Sequence, residues 1–452
     1  MAKVYDLTNG KPSSLILKFY FPMLLTNMLQ QIYTIADTII VGKGLGDNQL
    51  GAVGNMSSLT FFIIGFSIGI TNGFSILIAQ FFGAKNEEKL KRSVASSISL
   101  ALLITVILTA ISMVFLSPVL KLLQTDEIIM KDSLIYGYII FGGLFTTIAY
   151  NLCASILRAL GDSKTPFIAI VVSTIVNIIF NWVAVYVMHT GVEGPALVTI
   201  ASQIISALIC YLKLRKIDII RVKREHFIHN LSMYFELLRN GIPMAIMNSI
   251  TAIGCMTIQY FVNGMGVVFT SAYSACSKYI NLFMQPACTS GYAMSSFTSQ
   301  NYGAGRMDRI KKGLNVCLLI SFISYIILGS IMVIFAEQLA GFMLNGSEQI
   351  ALSKGYLIRS GSMIFAVDFL FVVRSACQGM GKPLIPMISG IAEMALRVVV
   401  VVFFTSVFGF NATSYAEIAA WLGAMILNSA AIYYYLYGKK EKTADIPSYS
   451  AV

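Results

Sequence analysis

Asp37 stands in the stretch QQIYTIADTIIVG (residues 30–42), and residues 19–36 before it carry no charge. A carboxylate at the centre of a membrane helix costs about 2.5–3.5 kcal/mol, so such a group normally faces a polar interior. There it can hold a cation or trade a proton. Burial disfavours the charged form of a carboxylate, so a modest change in hydration between two conformations could drive uptake and release. Amides and hydroxyls elsewhere offer it neighbours. Asn177 and Asn181 in STIVNIIFNWVAVY are four residues apart, as are Thr199 and Gln203 in ALVTIASQ, so each pair shares a helix face. Further charges interrupt apolar stretches later in the chain: Asp368 and Arg374, then Glu393 and Arg397, the last two again four apart and able to pair. Each residue also has a plainer reading. Asp37 could be a hydrated residue near an outer interface, because Gly42-Lys43-Gly44 follows. The asparagines could be helix–helix glue. Glu393 and Arg397 read first as a mutually neutralising structural pair near a helix end.

The elements that position these residues are set by composition. The 452 residues are 57% hydrophobic and only 12% charged, against roughly 25% charged in soluble domains. Uncharged gaps recur between Arg92 and Lys121, Asp132 and Arg158, Lys164 and Glu193, Glu193 and Lys213, Lys278 and Arg306, and Lys312 and Glu337. About 20 apolar residues cross a ~30 Å hydrocarbon core as a helix. The roughly ten-residue alternation of a membrane β-barrel is absent. The expectation is therefore an all-α polytopic membrane protein with twelve spans, near 15–41, 51–80, 93–117, 133–157, 166–188, 195–213, 241–262, 269–299, 313–335, 355–378, 385–408 and 415–437.

The net charge of +11 is read through the positive-inside rule rather than as a nucleic-acid footprint. With the N-terminus cytoplasmic, one side collects Lys85, Lys89, Lys91 and Arg92, the basic run Lys213–Arg224, Arg306–Lys312 and the tail lysines. The other side keeps few, such as Lys43, Lys121 and Lys131. Both termini are expected in the cytoplasm of a bacterial cell, with the chain in its inner membrane. The N-terminal residues lack the apolar core of a cleaved signal peptide. Seven scattered cysteines form no C-x-x-C pair and read as small apolar residues. His189, His226 and His229 lie in or beside loops, and no metal motif or cofactor is expected.

The chain also repeats. AQFFGAK at Ala79 matches SQNYGAG at Ser299, and RALGDSKTP matches CQGMGKPLIP, both at an offset of 220; Pro22 matches Pro243 at 221. This predicts two six-helix lobes, 1–214 and 239–438, related as a parallel repeat. Between them, 215–238 reads as a basic cytoplasmic linker with a short amphipathic helix carrying Phe227, Leu231, Tyr234, Phe235 and Leu238. Residues 439–452 read as a cytoplasmic tail.

LLQQIYTIADTIIVGKGLGDNQLGAVG, AQFFGAK, RALGDSKTP and CQGMGKPLIP together resemble the signature segments of the multidrug and toxic compound extrusion (MATE) transporters. They are most similar to the bacterial DinF-like branch, over about residues 13–437. The resemblance implies twelve helices in two lobes forming a V. It also implies antiport, with inward proton or sodium flow driving export of amphiphilic, often cationic, organic compounds. Carried over residue by residue, it groups Asp37, Asn177, Asn181 and Thr199 as a cation-coupling network in the N-terminal lobe. Many relatives have Asp where this chain has Asn181, which leaves proton against sodium open. Some sodium-coupled relatives use an Asp on the tenth helix, which makes Asp368 a candidate second cation site.

Tyr33, Tyr136, Met256, Gln259 and Tyr260 are candidates for a substrate cavity, because aromatic and methionine side chains adapt to varied organic cations. The expected partners are small organic molecules and the lipid bilayer, with no nucleic acid and no obligate protein partner. The competing reading is a flippase for lipids or lipid-linked precursors, which would want a more basic cavity. An enzyme is disfavoured, because no catalytic or acidic metal cluster stands within the spans. No stretch looks like a channel's filter loop.

Overall fold

The computed structural model describes residues 5–123, 125–228 and 231–438. His229 and the tail expected at 439–452 lie outside them. Every regular element among the described residues is helical. In order these are α1 (Pro12–Leu45), α2 (Asp47–Gly83), α3 (Glu87–Leu122), α4 (Glu127–Gly142), α5 (Leu144–Ala159), α6 (Lys164–Trp182), α7 (Glu193–Leu214), α8 (Leu231–Met265), α9 (Val267–Phe283), α10 (Gln285–Gly303), α11 (Met307–Ile334), α12 (Ala336–Met343), α13 (Ser347–Gly379), α14 (Leu384–Phe408) and α15 (Asn411–Tyr433). In lipid a backbone must satisfy its own N–H and C=O groups, and a helix does so within one segment.

Among the described residues, nine helices are long and apolar enough to cross a membrane, or ten if α4 and α5, bent by 44° at Gly143, form one span. The expected spans at 15–41 and 269–299 are α1 and the pair α9–α10, and neither meets that measure of apolarity. Their polar content is the reason. α1 carries Asn27, Gln30, Gln31 and Asp37, and α10 buries Thr289, Ser290, Thr298, Ser299, Gln300 and Asn301.

The repeat is visible in the backbone. Left-handed φ occurs at Gly46 and Gly266, Lys85 and Gly305, Gly161 and Gly381, and His189 and Gly409, each pair 220 residues apart. A positive φ recurs at the same place in both halves, with or without glycine.

The described residues form two compact units. Unit 1 is Phe21–Ala245 with Tyr5 and Asp6; unit 2 is Leu7–Tyr20 with the described residues from Ile246 onward. Both boundaries fall inside a helix, beside Pro22 of α1 and near Pro243 of α8. They therefore differ from the division at 214 and 239 drawn from the sequence. Local packing explains this. Within unit 1, Gly69 and Gly73 of α2 meet Gly241 and Ala245 of α8. A Cβ on Gly73 would stand 2.4 Å from the Gly241 Cα, and one on Gly69 2.6 Å from the Ala245 Cα. Small residues four apart on both helices let the backbones touch, a main source of helix association in lipid. Within unit 2, the Leu7 N–H donates to Gln300 Oε1 at 2.8 Å. Arg309 donates to the carbonyls of Gly10 at 2.8 Å and Leu7 at 3.1 Å.

The amphipathic helix expected in the linker is not a separate element. Leu231, Tyr234, Phe235 and Leu238 form the opening turns of α8, which continues to Met265. Upstream, Phe227 closes a short 3-10 turn, Arg224–Phe227. Nothing between Leu231 and Arg239 breaks a helix, and the contact of Gly241 with α2 carries it onward.

Candidate functional site

Unit 1 gathers Asp37 with the polar residues of three helices. α1 supplies Tyr33 and Asp37, one turn apart; α6 supplies Asn177 and Asn181; α7 supplies Thr199. Asn181 Nδ2 donates to Asp37 Oδ1 at 2.6 Å and to Asn177 Oδ1 at 2.9 Å. Asn177 Nδ2 donates to the Tyr33 hydroxyl at 3.4 Å, and that hydroxyl donates to Thr199 Oγ1 at 3.3 Å. Both asparagines are fully buried and Asp37 is half-buried. Tyr33, read from the sequence only as cavity wall, is thus the link between α6 and α7.

The network is rich in oxygen and short of donors. Asn181 Oδ1 and, one turn beyond Thr199 on α7, Gln203 Oε1 are buried without a hydrogen-bond partner. A buried acceptor left so costs about 1–3 kcal/mol. Carboxylate and amide oxygens are ligands for hard cations, so this donor set fits a proton or a small cation. Immediately past Asn181 the helix loosens into a π-helical stretch, Val183–Val187, a feature frequent at functional sites. α1 crosses it closely at Gly44, where a Cβ would lie 2.2 Å from Val185 Cγ1.

Among the other cavity candidates, Tyr136 lies within electrostatic reach of Asp37 and Tyr33. Tyr136 is buried in an apolar cluster with Met56, Leu116, Ile140 and Phe141. Met256, Gln259 and Tyr260 lie on α8 within unit 2, where Met256 and Tyr260 are exposed and Gln259 donates to Asn263 Oδ1 at 2.6 Å.

Unit 2 buries a chain of four charges. Arg374 of α13 donates to Glu393 of α14. Arg397 Nη1 stands 3.6 Å from Glu393 Oε2. Arg397 Nε and Nη2 both donate to Glu417 Oε2 on α15, at 3.1 and 3.0 Å. Glu393 and Arg397 stand mid-helix rather than near an end, and each has its shorter contact on another helix. Glu417 was missed in the sequence, although it is an acid inside the otherwise uncharged stretch from Lys382 to the tail lysines apart from Glu393 and Arg397. Asp368 is buried on α13 and its Oδ1 has no hydrogen-bond partner.

The profile of the MatE family matches residues 22–183 and, a second time, residues 243–403. The chain belongs to the MatE family. The double match independently reproduces the internal repeat and its offset of 220–221 residues. This MatE chain is 31% identical over 348 residues to the protein named Probable multidrug resistance protein YoeA of Bacillus subtilis, covering 75% of each. It is 20% identical over 400 residues to a protein named FAD transporter from Shewanella oneidensis, covering 87% of this chain and 88% of that one. A crystal structure described as MATE in the bent conformation superposes with a TM-score of 0.91 at 20% identity, over 98% of this chain and 100% of that one. The protein is thus a multi-pass membrane transporter with the MATE fold, in a family of multidrug efflux transporters.

Proposed function

We propose that the protein exports amphiphilic, often cationic, organic compounds across the bacterial cytoplasmic membrane by proton- or sodium-coupled antiport, with both termini in the cytoplasm. The observation that carries this reading is the Asp37 network: one carboxylate bonded to a buried amide, Asn181, whose own oxygen has no donor. A charged Asp37 is costly in a bilayer, and a bound proton or Na⁺ neutralises it. Asn181 then loses an anionic acceptor, and its contacts with Asn177 and Asp37 must readjust. That coupling makes the packing of α1 against α6 depend on ion occupancy. An ion shifts a conformational equilibrium only through different affinities for its two states, and a change in the half-buried setting of Asp37 between those states would supply the difference. Tyr33, Tyr136, Met256, Gln259 and Tyr260 remain candidates for contacts with the exported compound, and Asp368 for a second cation.

The paired state of the intramembrane arginines favours this reading over a lipid flippase. Arg374 and Arg397 both bond to carboxylates, so neither is an open anchor for an anionic headgroup. The test uses purified protein in vesicles loaded with a fluorescent organic cation, under either a pH or a sodium gradient. Wild type is expected to export under one of them, and Asp37→Asn to bind the dye without exporting it. Export by the variant at the wild-type rate would overturn the role of Asp37.

A further inference from the structure

The two units share a register but differ in chemistry where the polar network stands. Tyr33 lies eleven residues past Pro22, and eleven past Pro243 is Gly254. Asp37 lies fifteen past Pro22, and its counterpart is Ile258. Asn177 and Asn181 lie thirteen and seventeen residues past the start of α6; the same steps from the start of α14 reach Arg397 and Val401. Thr199 lies six residues past the start of α7, and six past the start of α15 is Glu417, an offset of 218 because the turn before α15 is two residues shorter than that before α7.

The carboxylate–amide pair of Asp37 and Asn181 thus corresponds to Ile258 and Val401, both fully buried in one apolar cluster. The string Tyr33–Asn177–Thr199 corresponds to Gly254–Arg397–Glu417, and these three are again neighbours. Arg397 donates twice to Glu417. A Cβ on Gly254 would stand 3.3 Å from Arg397 Cδ and 3.4 Å from Nη1. Bulk has changed helices: unit 1 sets a tyrosine over an asparagine, and unit 2 sets an arginine over bare backbone.

We infer that Arg397 is a tethered cation. Its guanidinium takes, in unit 2, the place that the Tyr33 side chain holds in unit 1, beside the apolar counterpart of the Asp37–Asn181 pair, and Glu417 and Glu393 act as its fixed anionic ligands. Guanidinium is permanently charged and its planar fork matches carboxylates, so this cation is neither released nor neutralised. Ion exchange at this pair of related positions is confined to unit 1. The emptied site in unit 2 should accept a small planar cation of the guanidinium class. The comparison with unit 1 rests on the proposed role of Asp37, whereas the filling of unit 2 by its own arginine does not.

The experiment is thermal unfolding of full-length Arg397→Ala in lipid nanodiscs, titrated with methylguanidinium chloride and, at equal ionic strength, with sodium or choline chloride. The variant is expected to melt below wild type and to recover saturably with methylguanidinium, with an apparent Kd on the order of millimolar. Wild type should not respond. Adding Glu417→Gln should remove the recovery, and adding Asp37→Asn should leave it intact. If methylguanidinium does no more than choline, or if recovery survives Glu417→Gln, the inference is overturned. If Arg397→Ala does not accumulate, Arg397→Gln carries the same titration with the same two outcomes. Normal export by Asp37→Asn would remove the role of Asp37 while leaving the methylguanidinium result standing, so the two failures are distinguishable.

Discussion

Asp37 and Arg397 stand in halves of one duplicated sequence, yet they solve opposite problems. Around Asp37 the chain sets a single half-buried carboxylate among neutral groups and leaves the Asn181 amide oxygen without a donor. Around Arg397 it buries two acids and two bases that balance one another in charge, although Arg374 Nε and Arg397 Nη1 make no hydrogen bond. The first arrangement holds a carboxylate with no positive partner among its hydrogen bonds, and the second pairs each acid with a base. A duplicated fold therefore does not duplicate a site. The backbone turns recur at every 220-residue step described above, but three or four side chains decide whether a position is responsive or inert.

That contrast can be broken by mutation, beginning with the charges of unit 2. Glu417→Ala should destabilise the protein by about 3–5 kcal/mol, because it strands a buried guanidinium. Replacing both partners, Arg397→Leu with Glu417→Leu, should bring stability back to within about 1 kcal/mol of wild type, since apolar replacement of a whole buried pair is often neutral. Denaturant or thermal melts of the purified variants would check both; a double variant as unstable as Glu417→Ala would show that the pair is more than self-neutralising. In unit 1, Asn181→Ala removes the donor to Asp37 and should weaken the ionised form by about 1.5–3 kcal/mol, the range for a hydrogen bond to a charged group. The readout is the ion concentration giving half-maximal export, which should move roughly tenfold or more while the fold survives.

A smaller effect is expected from Gly254→Ala. The added methyl presses on Arg397 at 3.3–3.4 Å, and overpacking of that kind costs about 1–3 kcal/mol. The matching change in unit 1, Tyr33→Phe, removes a hydroxyl whose contacts are long, 3.3 and 3.4 Å, and should cost about 0.5–1.5 kcal/mol. Comparing the two by melting and by ion-driven export sharpens the contrast: Gly254→Ala should lower stability without altering ion dependence, and Tyr33→Phe should alter ion dependence with the smaller loss of stability.

How much of this was legible depends on the residue. Asp37 announced itself because a charge in an uncharged stretch needs a reason, and the i, i+4 spacing of Asn177 and Asn181 placed both amides on one helix face. Tyr33 was legible only as an aromatic; its hydroxyl became a link once α6 and α7 were both against α1. Glu417 carries the same signal as Asp37, a lone acid in the final span, but the i, i+4 spacing of Glu393 and Arg397 points to a self-contained contact within one helix. In the fold each finds a shorter contact on a neighbouring helix. The separate amphipathic helix expected at 227–238 failed for a related reason. Helical spacing shows that residues share a face, not where the helix ends.

Amino-acid sequence alone determined that the chain is a polytopic helical membrane protein, that it repeats at about 220 residues, and that a few charges interrupt its apolar stretches. Those properties follow from local chemistry: apolar runs must become helices in lipid, and a duplicated pattern can be counted. Only the tertiary structure decided that the first turns of α1 and α8 divide from the rest at their prolines, that Asn181 rather than Thr199 touches Asp37, and that Arg397 bonds to Glu417. Each of these depends on which faces of separate helices meet. That is settled by glycine-to-glycine approach and by the size of single side chains, quantities that have no meaning until the helices are packed.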